Sequence, residues 1–169
     1  MTADKIYLVG FMASGKSTVA RHLAQRLRWR HEDIDDLIEA RERQTIAEIF
    51  AKRGEPYFRA VERDILKLLL PIRQLIVATG GGTFADPENR QAILMDGVAV
   101  WIDLPLPELI PRIPLDGRRP LAADRAALER LYASRVDTYR LAHLRVSGSR
   151  VSPGVVADRI LEALAAWSA

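Results

Sequence analysis

Residues 10–17 read GFMASGKS and match G-x-x-x-x-G-K-[ST] at every fixed position. Gly10 and Gly15 let the backbone wrap so that amide N–H groups converge on an anion. Lys16 reaches the outer phosphates of a nucleoside triphosphate, and Ser17 offers a hydroxyl to Mg2+. A helix starting near Lys16 aims its positive end at the same anion. The lysine is expected to be exposed and to face the ligand. The chemistry implied is nucleotide binding. The loop alone says nothing of what receives a phosphate.

Asp33 and Asp35 follow, two residues apart in EDIDD. At a strand end that spacing puts both side chains on one side, next to the phosphate loop of a parallel sheet. One carboxylate can then hold Mg2+, directly or through water, and the other can accept or orient a hydroxyl proton. The plain alternative is a helix start rich in acids, and Asp36 and Glu39 fit that alternative. Gly80, Gly81 and Gly82 form a second glycine loop, which leaves amides bare for a ligand's close approach or simply makes a flexible turn. Arg59, with Phe50, Phe58 and Val61 around it, suits a planar carboxylate. Taken alone, Arg59 and Arg135 read more readily as exposed helical arginines. Arg112, Arg118 and Arg119 flank a loop of lid length, where an arginine can close over transferring phosphate; a solvated basic loop fits the same residues. His22, His31 and His143 lack metal-ligand spacing. Trp29, Trp101 and Trp167 read as packing residues.

These groups need elements to hold them. Short apolar runs at 5–10, 74–79 and 97–104 predict buried strands, with shorter ones at 30–35 and 143–148. Helical spacing predicts helices at 16–28, 36–43, 45–54, 56–70, 86–95, 126–142 and 153–167, and a short one within 105–113. Thr45 and Glu48 form a capping-box pattern, and Gly54 and Pro56 separate two of the helices. Strand and helix alternate from end to end, which predicts an α/β fold with a parallel sheet covered on both faces. The polar, proline-punctuated stretch 114–125 is a loop.

The chain has 169 residues, 49% of them hydrophobic, enough for one domain with a sizeable core. It has no cysteine, which excludes disulfides and thiolate metal sites. No run reaches the ~20 apolar residues of a membrane span, and no secretory signal is evident, so a cytoplasmic protein is expected. The net charge is +3, from 25 basic and 22 acidic residues. The basic residues form no block, so neither nucleic acid nor membrane is an expected partner.

In order and spacing, the stretches GFMASGKST, DID, IAEIFAKRGEPYFRAVE, GGG, RIPLDGRRPL and SRVDTYR, with a proline opening the last helix, resemble shikimate kinase over nearly the whole chain. The resemblance implies a three-layer P-loop kinase fold on a central five-stranded parallel sheet with helices on both faces. It adds a mobile lid near 113–125 and a small helical acceptor-binding segment near 33–62, within a single domain spanning 1–169. It implies ATP-dependent phosphorylation of the 3-hydroxyl of shikimate by a monomer, with Mg2+ as cofactor and ATP and shikimate as small-molecule partners. By this resemblance Gly10, Ala13, Ser14, Gly15, Lys16, Ser17, Thr18, Arg112, Arg119 and Pro153 bind ATP, and Ser17 and Asp33 serve the metal. Asp35, Arg59, Gly80, Gly81, Gly82 and Arg135 bind shikimate, and Lys16, Asp35 and Arg119 are catalytic. Ala13 stands where the family often has glycine, ARERQT lacks the glycine often found between two helices, and SRVSPG places no arginine cleanly beside the adenine, with Arg150 the remaining candidate. The alternatives are another hydroxy-acid kinase of the same fold, such as a gluconate kinase, or a non-catalytic ATP-binding module.

Overall fold

Apolar runs without alternation become the strands buried on both faces. In the computed structural model, which describes residues 3–114 and 124–167, β1 (Lys5–Val9), β3 (Leu75–Ala78) and β4 (Val98–Asp103) are buried almost throughout. Successive side chains point to opposite faces of a strand, so complete burial means that both faces are covered. The more polar strands β2 (Arg30–Asp33) and β5 (Leu144–Ser147) lie at the two edges of a parallel sheet ordered β2-β3-β1-β4-β5. Register aligns Leu8 with Ala78 and with Val100, bringing the carboxyl ends of the central strands together. That edge is where open α/β sheets bind ligands.

The α-helices among the described residues are α1 (Lys16–Leu27), α2 (Ile34–Glu42), α3 (Ile46–Leu69), α4 (Pro87–Asp96), α5 (Leu106–Leu109), α6 (Arg125–Tyr139) and α7 (Pro153–Trp167). The helices expected at 45–54 and 56–70 are halves of α3, broken where Gly54 takes φ 81° and ψ 170°. The capping box at its start is present: Thr45 Oγ1 accepts from the Glu48 amide at 3.2 Å, and Glu48 accepts from the Thr45 amide at 2.8 Å. One boundary differs in a way that matters. The strand expected over 30–35 stops at Asp33, and Asp35 lies in the first turn of α2. Asp33 and Asp35 therefore do not share the face of a strand.

The opposite edge of the sheet carries a second polar centre. Lys5, 0% exposed, donates to the Leu69 and Leu70 carbonyls at 2.8 and 2.7 Å and to Asp96 Oδ2 at 2.6 Å. The final carbonyls of a helix lack intrahelical partners and attract a cation, so Lys5 ties the end of α3 to the sheet. Tyr7 and Arg73 also donate to Asp96. Burial opposes the Asp96 charge, but the hydrogen bonds from Lys5, Tyr7 and Arg73 outweigh it and hold the carboxyl below its usual range. His143 is a packing residue: Nδ1 accepts from the Ala99 amide at 3.0 Å. No helix among the described residues is long and apolar enough to cross a membrane.

Candidate active site

The loop after β1 turns through Gly10 at φ 149°, where a Cβ would stand 2.8 Å from the Ile102 carbonyl oxygen, and through Gly15 at φ 88°. Only glycine meets both demands at residue 10. Ala13 takes a left-handed φ of 62° without being glycine. Arg43, at the end of α2 in the ARERQT stretch, does the same at φ 53°. Ala13, and one position within the stretch noted for lacking a glycine, thus have a conformation that glycine adopts most readily.

Lys16 opens α1 but is not exposed as expected: it is 8% accessible. Its Nζ donates to the Gly10 and Phe11 carbonyls at 2.8 Å each and to Ser14 Oγ at 3.3 Å. The loop holds its own cation in place. Ser17 Oγ donates to Asp33 Oδ2. The other Asp33 oxygen accepts from the amides of Asp35 and Asp36 at 2.9 and 3.3 Å, capping α2. Asp33 thus caps α2, as the helix-start reading has it, and also pairs with the loop hydroxyl. A cavity of about 310 Å3 is lined by Ala13, Gly15, Lys16, Ser17, Thr18, Asp33, Asp35, Asp36, Thr79, Gly81 and Arg112.

A second cavity of about 310 Å3 opens beside it, between α2, α3, α6 and the glycine loop. Its apolar wall includes Phe11, Met12, Ile46, Phe50, Phe58 and Leu131, and its polar groups include Asp35, Asp36, Arg59 and Arg135. Arg59 and Arg135, 76 positions apart in the numbering, face one space. Arg59 is 18% exposed; Nη1 donates to Glu62 Oε1 at 2.9 Å, and Nη2 pairs with Glu55 at 3.3 Å. Burial alone would weaken the guanidinium charge, but Glu62 and Glu55 outweigh it and raise its pKa.

None of Gly80, Gly81 and Gly82 takes a left-handed φ. Their lack of a side chain serves close packing instead. A Cβ at Gly80 would lie 2.9 Å from Asp35 Oδ1, at Gly81 3.3 Å from the Met12 amide, and at Gly82 2.5 Å from Arg59 Nη2. The three glycines let the phosphate loop, α2 and α3 converge on one turn.

Three residues escaped the sequence reading. Glu62 is 0% exposed, pairs with Arg59 and accepts from Thr83 Oγ1 at 2.7 Å. Its position three residues after Arg59 on a helix was a usable signal. Asp36, assigned to a helix start, lines both cavities. Burial, then the charges of Asp33 and Glu39, push its carboxyl above the usual range. Tyr139 donates its hydroxyl to the Gly81 carbonyl, and no local pattern marks it. Pro153 opens α7 and lines neither cavity. Arg118 and Arg119, with most of the expected lid, lie outside the described residues. Among the described residues no group of three or more His, Cys, Asp or Glu is arranged to hold a metal; Ser17 and Asp33 offer a hydroxyl and a carboxylate.

A family model described as shikimate kinase matches residues 12–165. The chain belongs to the shikimate kinase family. A shikimate kinase of Persephonella marina is 41% identical over 157 residues, 92% of this chain and 96% of the relative. One of Synechococcus elongatus is 40% identical over 163 residues, 94% of this chain and 85% of the relative. The solved shikimate kinase of Acinetobacter baumannii, in complex with shikimate, superposes with a TM-score of 0.93 at 34% identity, covering 98% of this chain and 94% of that one. The Aquifex aeolicus enzyme gives 0.88 at 34% identity, covering 97% of this chain and 98% of that one. The three-layer P-loop kinase fold is thus that of the family, and nothing in these matches supports a gluconate kinase or a non-catalytic module.

Proposed function

We propose that the protein is an ATP-dependent shikimate kinase, moving the γ-phosphoryl group of ATP to the 3-hydroxyl of shikimate and releasing ADP. Family membership supports this reading, and one observation of geometry carries it. The phosphate-loop cavity and the arginine-lined cavity share Asp35, Asp36 and Gly81. A phosphoryl group held on one side of that junction stands next to a hydroxyl held on the other, as in-line transfer requires.

In this reading Gly10, Ala13, Ser14, Gly15 and Thr18 cradle the phosphates, and Lys16 balances the charge that spreads over the γ-phosphoryl oxygens. Ser17 and Asp33 would hold Mg2+, Asp33 through water. Both are hard oxygen donors already in contact, and one or two carboxylates with substrate phosphates suit this ion. When bound, Mg2+ neutralises phosphate charge. Asp35 orients the acceptor hydroxyl and accepts its proton. Arg59 and Arg135 bind the shikimate carboxylate, with Glu62 and Glu55 fixing the plane of Arg59. Gly80, Gly81 and Gly82 face the ring. Arg119 reaches the phosphates from a lid near 113–125, and Arg112 and Pro153 flank adenine. The chain acts as a single-domain monomer whose acceptor segment spans about 33–62.

ADP release with a panel of hydroxy acids tests the proposal. Shikimate should stimulate release far more than gluconate. Release driven by gluconate, or nucleotide binding with no acceptor-dependent release, would overturn it.

A further inference from the structure

The glycine turn between the two cavities poses a question that its own residues do not answer. Three successive glycines restrain their peptide planes weakly, yet this turn faces both substrates in the proposed reaction. The Gly80 and Gly82 carbonyls accept from the amides of Thr83 and Ala85 at 3.2 and 3.1 Å, which leaves the Gly81–Gly82 peptide to be set by a more distant group. We infer that Tyr139 is a positioning residue for shikimate, and that its hydroxyl sets the orientation of the Gly81–Gly82 peptide.

Tyr139 is 1% exposed and packs at 6.0 Å from the Trp101 ring. Its hydroxyl donates to the Gly81 carbonyl. No peptide bond in the described chain is cis, so the Gly82 N–H points away from the Gly81 carbonyl. Holding the carbonyl towards the buried phenol turns the N–H away from it. Gly82 lines the acceptor cavity, and a Cβ there would stand 2.5 Å from Arg59 Nη2. The hydrogen bond therefore presents a fixed donor beside Arg59. Tyr139 also lies four residues after Arg135 on α6, so the two side chains project from adjacent turns. One helix thus supplies an arginine to the cavity and the restraint on the turn opposite. Burial raises the phenol pKa, against the nearby charges of Arg135 and Arg59, so the group remains a proton donor at working pH.

The inference rests on the kinase reading, and the test separates the two. Initial rates are measured for wild type, Tyr139→Phe and Tyr132→Phe with each substrate varied. Tyr132 is the control because its hydroxyl bonds the Leu104 carbonyl at 2.9 Å and it lines neither cavity. Tyr139→Phe should raise the shikimate KM by about five- to tenfold, the range of one net hydrogen bond, and leave the ATP KM within about twofold. Tyr132→Phe should lower the melting temperature without moving either KM. Replacing Tyr139 by 2-fluorotyrosine, which keeps the ring and a phenol that stays protonated at neutral pH, should restore the shikimate KM, and it provides the test if the Phe variant does not fold. An unmoved shikimate KM in Tyr139→Phe, a parallel rise in both KM values, or a fluorotyrosine variant as impaired as Phe would each overturn the inference alone. A wild-type protein that does not phosphorylate shikimate would overturn both readings.

Discussion

The sheet buries one lysine at each end, and the two do different work. Lys5 at the amino edge is 0% exposed, and Lys16 at the carboxyl edge is 8% exposed. Burial does not separate them. Their partners do. Lys5 binds groups 64 to 91 residues away, including the Asp96 carboxylate. Three hydrogen bonds of Lys16 run to carbonyls and a hydroxyl no more than six residues away. The first lysine joins distant elements. The second is braced by its own loop at the wall of a cavity, so removing it leaves the Lys5–Asp96 joint in place.

That contrast is open to direct attack, and the largest effect should come from Lys16→Met. Turnover should fall by at least ~100–1000-fold, the scale for losing one preorganised electrostatic donor. The melting temperature should shift by only a few degrees. A variant with near-wild-type turnover, measured by ADP release, would break the comparison at its active end.

Lys5→Met should show the reverse. Removing one partner of a buried pair costs roughly 3 kcal/mol, the low end of the usual range because Arg73 still serves Asp96. For a chain of this length that lowers the melting temperature by about 10 °C. Turnover of the folded variant at 20 °C should stay within about twofold of wild type. The same centre predicts a pH dependence. The folded pKa of Asp96 lies below its unfolded value, so its stabilisation is complete above the usual carboxylate pKa of about 4 and is lost as pH falls through the folded value. Acid unfolding followed by circular dichroism should be less steep below pH ~4 in Asp96→Asn, a variant also less stable at neutral pH. An equally steep acid limb would remove Asp96 from the account.

Smaller effects sharpen the active end. Arg59→Lys keeps the charge but loses the fork that meets both oxygens of a carboxylate. Gly82→Ala keeps Arg59 but drives a Cβ into its guanidinium. Each should weaken shikimate by roughly tenfold, about 1.4 kcal/mol, with ATP affinity nearly unchanged. Calorimetric titration of each substrate checks this, and an equal loss for ATP would place Arg59 outside the acceptor site. The smallest effect concerns backbone conformation. Arg43→Gly relieves a left-handed φ in exchange for a more flexible unfolded chain, so it should change stability by less than about 1 kcal/mol and leave turnover alone. A clear destabilisation by urea titration would mean that the Arg43 side chain contributes more than its backbone strain costs.

Much of the fold was legible because local signals agreed. KIYLV and LIVA read as buried strands, GFMASGKS as a turn into a helix, and Thr45 with Glu48 as a helix start. The reading failed at EDIDD, where a strand end and a helix cap draw on the same residue type. Asp33 caps α2 with one oxygen, so the strand ends there and Asp35 turns into the helix. The run of glycines was recognised as a place of close approach, but what approaches includes the protein's own Asp35, Met12 and Arg59 as neighbours.

The sequence by itself determined the phosphate loop, the order of strands and helices, and the family, because each rests on residues adjacent in the chain or on their order and spacing. Only the tertiary structure decided that Arg59 and Arg135 line one cavity, that the buried Glu62 pairs with Arg59, that Asp36 borders both cavities, and that Tyr139 holds the glycine turn. Burial and hydrogen-bond geometry belong to the packed molecule. A guanidinium or a phenol acquires its role from groups that meet it only once the sheet and helices have packed together.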